Sequence, residues 1–182
     1  DLNVLCNAIS PLLEVDPYGK LNPAVATEWN TPDGGVTWDF VLRDDVTWVD
    51  VNGNEKAKCT AQDWVTAMEW ILNYEKNGAN NTSMLVTLVE GAQEYYDYTK
   101  NLAETNPGAA KALTTENNPE FDKVGIKAPD DYTLDYTCVS NCPYFDTLCT
   151  SAALYPVSQA EIDEKGVDNM IGMSNETMWY NG

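Results

Sequence analysis

The chain has 182 residues, with 29 acidic side chains against ten basic ones, no histidine, and a formal net charge of −19. This balance argues against nucleic acid and anionic membrane surfaces as partners, because both need clustered Lys and Arg and the cations here are scattered. The lack of His removes Ser-His and Cys-His nucleophiles. A composition that is 43% hydrophobic supports one good domain, or one with flanking pieces of another, yet no window approaches the length of a transmembrane span.

In chain order, the first clear element follows the turn Asp33-Gly34-Gly35. Val36, Trp38, Phe40 and Leu42 alternate with Thr37, Asp39, Val41 and Arg43, the period of a half-buried strand. Asn52-Gly53 marks a second turn. Thr60 reads as a helix N-cap with Asp63 as a variant capping box, and Trp64, Ala67, Met68, Ile71 and Leu72 define one apolar face. Asn77-Gly78 is the expected end of this helix. A second helix is expected from Ser83 to Tyr98, with Leu85, Leu88, Val89, Ala92 and Tyr96 inward.

Residues 101–120, broken by Pro107-Gly108 and Pro119, read as a polar surface excursion. A hairpin follows. Val124, Ile126 and Ala128 form one alternating strand; Tyr132, Leu134, Tyr136 and Cys138 form the other, after the Pro129-Asp130-Asp131 turn. Pro143 to Ala153 reads as a short helix ending at Tyr155-Pro156. The order strand, helices, hairpin, helix gives an α+β class, with strand and hairpin in one antiparallel sheet and the Thr60 helix on its apolar face.

Cysteines and tryptophans each invite a functional reading beside a structural one. Cys6, Cys59, Cys138, Cys142 and Cys149 make an odd number. A Cys138–Cys142 bridge is one permitted pairing, whereas the C-x3-C-x6-C spacing, with no His to complete it, is not a familiar zinc pattern. Trp38 and Trp64 fall on apolar faces and read as core, and Trp29 and Trp48 as covers for a sheet edge. The sequons at Asn80, Asn81 and Asn175 matter only in a glycosylating pathway. No Walker A or G-x-G-x-x-G sequence occurs, and most acids sit in turns, caps or solvent-facing strand positions.

Three motifs in fixed order carry a family resemblance. Pro23-Ala24-Val25-Ala26-Thr27-Glu28-Trp29 comes first. Asp33 to Trp48, with Trp38, Phe40, Leu42-Arg43 and Val46-Thr47-Trp48, is second, and Thr60-Ala61-Gln62-Asp63-Trp64 is third. Together they resemble the family 5 extracellular solute-binding proteins, the peptide-capturing subunits of ABC importers. The likeness continues through Leu12-Leu13 to Leu21, Glu90-Gly91-Ala92, Val124 to Leu134, Pro143-Tyr144-Phe145, Tyr155-Pro156-Val157 and Tyr180-Asn181-Gly182.

The resemblance implies an exported protein, periplasmic or lipid-anchored, that binds oligopeptides and hands them to permease subunits without catalysis or a cofactor. It implies a peptide-binding, type II architecture. Residues 1–22 would border a first lobe, 23–155 would be an inserted domain, and 156–182 would return toward that lobe. With neither an initiator Met nor a signal peptide, the chain reads as a stretch of a longer protein. Ser10, Ser83 and Met84 are the candidate ligand-facing residues.

Three departures bear on the ligand. Asp45 stands where the family usually has glycine, Val49 to Asn54 is a longer turn, and Ser10-Pro11 replaces a Glu-Gly pair. Ser10 can hydrogen-bond a ligand but cannot pair with its ammonium group. The alternative reading is a carbohydrate-binding lobe or an accessory domain of a carbohydrate-active enzyme, which would present a coplanar row of exposed aromatics rather than buried Trp38 and Trp64.

Overall fold

The computed structural model describes residues 7–77, 82–174 and 176–182. Cys6, Gly78 and the sequons at Asn80, Asn81 and Asn175 lie outside them. Eight strands are described: β1 (Leu13–Val15), β2 (Leu21–Pro23), β3 (Ala26–Asn30), β4 (Thr37–Leu42), β5 (Thr47–Val49), β6 (Glu55–Lys58), β7 (Ile126–Asp130) and β8 (Thr133–Thr137). The helices are α1 (Ala61–Leu72), α2 (Tyr74–Asn77), α3 (Ser83–Leu88), α4 (Ala92–Thr105), α5 (Phe145–Leu148), α6 (Gln159–Lys165) and α7 (Val167–Met170).

The expected sheet is present, in the order β3-β4-β8-β7 and antiparallel throughout. Trp38 faces Tyr136 and Phe40 faces Leu134 across the β4–β8 pair. These four side chains are buried, while Asp39 is only half-buried, so the period-two reading and its register hold. Phe145 of α5 lies against this face, 4.9 Å from Tyr136 and 6.0 Å from Trp38 by ring centroids. Helix α1 packs on β7. Two hairpins, β1–β2 and β5–β6, stand outside this sheet.

Helix α1 differs from the one-faced helix that the apolar spacing implies. Besides the apolar stripe, Asp63, Thr66 and Glu69 are buried on a second face. The helix stops at Leu72, where Asn73 turns extended, and α2 forms a separate turn rather than a continuation to Asn77-Gly78. Asn73 is fully buried, and its side-chain amide donates to Glu69 Oε1 (2.8 Å) and Ala110 O (2.7 Å). A residue that serves two buried acceptors in this way breaks the helix where the local pattern would continue it.

The second expected helix is likewise two. Between α3 and α4, Val89 bridges to Cys138, and Glu90 trades backbone bonds with Thr137 and Gly125. Gly91 has φ of 70°, and a Cβ there would lie 2.4 Å from the Lys123 carbonyl oxygen, so only glycine fits. The break shifts the helical phase: Tyr95 is buried, in place of the expected Tyr96. Residues 101–105 belong to α4. The segment after it is no mere surface excursion, because Ala110 and Asn118 are buried. It covers the ion pair between Lys76 Nζ and Glu69 Oε2 (2.5 Å), both side chains almost wholly buried. Lys76 also donates to Leu113 O, while Tyr95 Oη donates to Glu69 Oε1 (2.7 Å).

Pro143 to Ala153 also divides, into α5 and a 3-10 turn at Ala152–Leu154. Trp48 is core, not an edge cover: its indole N–H donates to Asp63 Oδ2 (2.9 Å). Trp29, half-buried, donates to Asp146 Oδ2 (3.3 Å). Leu12, Leu13 and Trp179 join the same core as residues 25–154.

Two carboxylates give stability tests. Asp63 accepts from Trp48, from the Thr60 N–H (3.0 Å) and from the Gln159 N–H (3.0 Å). Asp63→Ala strands all three donors in the interior and is expected to cost on the order of 3–5 kcal/mol in urea unfolding. Asp63→Asn, which keeps one acceptor oxygen, recovers part of that loss; a cost below about 1 kcal/mol for the alanine variant would refute the assignment. Asp33 accepts the N–H groups of Gly35, Val36 and Thr37, which lower its pKa to about 2. A depressed folded value means that its contribution is present above the unfolded value and is lost as pH falls through about 2. Carboxyl NMR titration should show Asp33 ionised at pH 3.

Candidate functional site

The first two motifs converge on one open cavity of about 480 Å³. Pairing of β3 with β4 sets Arg43 against Val25, whose carbonyl accepts the Arg43 N–H at 2.9 Å. Pro23, Val25, Arg43, Asp45 and Thr47 line the cavity from that side. Ser10, Asn181 and Gly182 close the other.

Ser10 is held there by its backbone. Its N–H donates to Asn181 Oδ1 (2.8 Å), and its carbonyl accepts from Asn181 Nδ2 (3.3 Å). Asn181 is itself buried, with Nδ2 also 3.5 Å from Cys59 Sγ. Burial pushes the Cys59 thiol well up, and the Asp63 charge adds to that, so Cys59 stays protonated and acts as packing. Gly182 leaves room for the Ser10 hydroxyl, since a Cβ at that position would stand 3.1 Å from Ser10 Oγ.

The structure does not bring the three candidate residues into one cavity. Met84 lines a separate cavity of about 310 Å³ with Thr87, Leu88, Asn141, Cys142 and Tyr144. Ser83, the first residue of α3, is exposed and lines neither. A third, mainly apolar cavity of about 330 Å³ lies between α1 and residues 152–157, lined by Ile9, Trp70, Ile71, Ala153, Tyr155 and Val157. No local pattern announces it, because its two walls are more than 70 positions apart in sequence.

Trp38, Trp48, Trp64 and Trp179 are all buried, so they cannot form the exposed aromatic row of a sugar platform. Among the described residues, no cluster of three or more Cys, Asp or Glu is placed to hold a metal ion. Nor is any described helix long and apolar enough to cross a membrane.

The sequence model for bacterial extracellular solute-binding proteins, family 5 Middle, matches residues 20–175. The chain belongs to the family 5 extracellular solute-binding proteins. It is similar to the oligopeptide-binding protein AmiA of Streptococcus pneumoniae, at 31% identity over 179 residues, 98% of this chain and 24% of that protein. Among solved structures it resembles the periplasmic oligopeptide-binding protein OppAIV of Borrelia burgdorferi, with a TM-score of 0.74 and 26% identity over 98% of this chain and 30% of the other. It also resembles Haemophilus influenzae OppA in complex with RPPGFSPFR, with a TM-score of 0.70 and 26% identity over 95% of this chain and 29% of the other. The chain thus spans about a quarter of the length of the curated relatives it matches.

Within this family 5 chain, the departure at Asp45 has a physical reading. Asp45 Oδ1 and Oδ2 accept from Arg43 Nε (2.5 Å) and Nη2 (2.7 Å), a bidentate fork that lowers the Asp45 pKa. The chain's lone arginine is therefore engaged at the cavity wall, although both side chains are too exposed for the pair to stabilise the fold much. Asn181→Ala should release Ser10. Loss of two partly buried bonds is expected to cost about 1–2 kcal/mol and to speed hydrogen exchange at the Ser10 amide. An unchanged Ser10 exchange rate would show that the clasp is not what holds it.

Proposed function

We propose that these 182 residues are part of the extracytoplasmic substrate-binding subunit of an ABC importer, and that they supply one wall of an oligopeptide site without catalysing a reaction. The observation that carries this reading is the extent of the likeness. Proteins named for oligopeptide binding match 98% of the chain in sequence, and their relatives match it in fold. In this reading residues 23–155 are the inserted domain, and 1–22 and 156–182 are its borders with a first lobe. The protein works in the periplasm or at the cell surface, lipid-anchored in the second case, and delivers its ligand to permease subunits.

The ligand is held mainly through its backbone, much as a strand is added to a sheet edge. Ser10, with Ser83 and Met84, faces the ligand in the complete cleft. Ser10 contributes a neutral hydrogen-bonding group where an acid would pair with a peptide ammonium, which favours ligands not selected by that charge. Peptide sites bury most of the ligand surface. The cavity that Ser10 lines is open, so one wall alone gives weak affinity.

Isothermal titration with a pool of tri- to pentapeptides tests this directly. The 182-residue chain should give no saturable heat up to about 1 mM, a binding free energy weaker than about 4 kcal/mol. A protein extended to the full length of the relatives should bind saturably. Micromolar binding by the 182 residues alone would overturn the one-wall reading. An extended protein that ignores peptides but binds oligosaccharides would overturn the ligand class.

A further inference from the structure

Cys138, Cys142 and Cys149 belong to one core cluster. Cys138 follows β8, Cys142 comes after a three-residue loop, and Cys149 caps α5; all three are buried and free. The loop is fastened at both ends to the turn before β4. Cys138 N–H donates to Val36 O and Cys142 N–H to Gly35 O, each at 2.8 Å, and Asn141 Nδ2 donates to Gly34 O at 3.2 Å. The approach is close enough that a Cβ on Gly35 would lie 2.8 Å from Pro143 N. Between the fastened ends, Val139, Ser140 and Asn141 are exposed.

The two cysteines at the loop ends are equally buried but border different surroundings. Cys142 lines the cavity of about 310 Å³ beside Met84 and Tyr144. Neither Cys138 nor Cys149 lines that cavity. We propose that Cys138 and Cys142 form a reversible dithiol–disulfide pair, oxidised by exchange with a small-molecule disulfide that enters through this cavity.

The chemistry is ordinary thiol–disulfide exchange. The Cys142 thiolate attacks one sulfur of the external disulfide, whose S–S bond breaks and releases one thiolate. The Cys138 thiolate then attacks the Cys142 sulfur of the mixed disulfide and expels the second external thiolate. Two protein thiols and one external disulfide become one protein disulfide and two external thiols, with both protons passing to the released thiolates. Burial raises the Cys138 pKa to about 11, and the charges of Cys142 and Asp33 add to the shift. Cys138 is accordingly the resolving thiol, not the one that reacts first. Burial also holds the Cys149 thiol well up, with Asp146, Cys138 and Cys142 adding, and it does not line the cavity, so it stays reduced.

The test is incubation of the chain with oxidised glutathione, then denaturing alkylation and mass spectrometric sequencing of the tryptic peptide 128–165. The expected result is a peptide with one alkyl group, on Cys149, a mass about 2 Da below that of the singly alkylated dithiol, no retained glutathione, and a fragmentation gap between Cys138 and Cys142. Cys138→Ser should trap the glutathione adduct on Cys142, and Cys149→Ser should leave the bridge intact. The Trp38 indole donates to the Cys142 carbonyl (3.2 Å), so its fluorescence should fall on oxidation and recover with dithiothreitol. A wild-type chain in which Cys142 remains fully alkylatable, or bridges to Cys149 or Cys6, overturns the proposal. The wild-type peptide map decides this even if a variant fails to fold.

Discussion

One buried carboxylate organises the join between the parts of this molecule. Asp63 sits in the first turn of α1, where a negative charge is favoured by the helix N-terminus. Its oxygens take one donor from the turn before the helix, one from Trp48 of the β5–β6 hairpin, and one from the first residue of α6. Three segments, one of them almost a hundred residues away, therefore meet at two oxygen atoms. Burial raises the carboxyl pKa while those donors favour its anion. With any of the three withdrawn, the charge would be left undersolvated, so the hairpin, the helix start and α6 hold or fail together.

The same helix carries the rest of the polar interior. Four buried residues of one stripe, Asp63, Thr66, Glu69 and Asn73, each have a partner from a distant segment. Glu69 and Lys76 form a salt bridge inside the protein, which is weak evidence for stability in itself. Its effect is on geometry. Because every donor and acceptor of the pair must be met, the chain after α4 can cross it in few ways, and it lays down the Ala110 and Leu113 carbonyls where Asn73 and Lys76 need them.

This division explains what was legible in the sequence. The strand through Trp38 and Phe40, the hairpin and the start of α1 each rest on a local rule, period-two alternation or capping, and all three read correctly. What was missed depends on partners brought from elsewhere. Asn73 breaks α1 because Ala110 is above it, and Gly91 splits the second helix because the Lys123 carbonyl is beside it. Tyr95 rather than Tyr96 turns inward because Glu69 waits for its hydroxyl. The motifs found the wall formed by Pro23 to Val25 and Arg43 to Thr47. The chain alone gave no way to see that Ser10 and Met84 would lie in separate cavities, since that separation is a property of the packed sheet and helices.

The clasp between Ser10 and Asn181 has a further mechanical meaning. With Gly182 N–H also bonded to Ala8 O (3.2 Å), the first and last described segments run side by side. That contact closes the chain between the two segments into a loop. Joined there and opened at the exposed Asn52-Gly53 turn, the same contacts would specify the same fold with new ends. For the same reason, any body attached at both segments grips this unit at a single point, and a push on one segment is transmitted to the other.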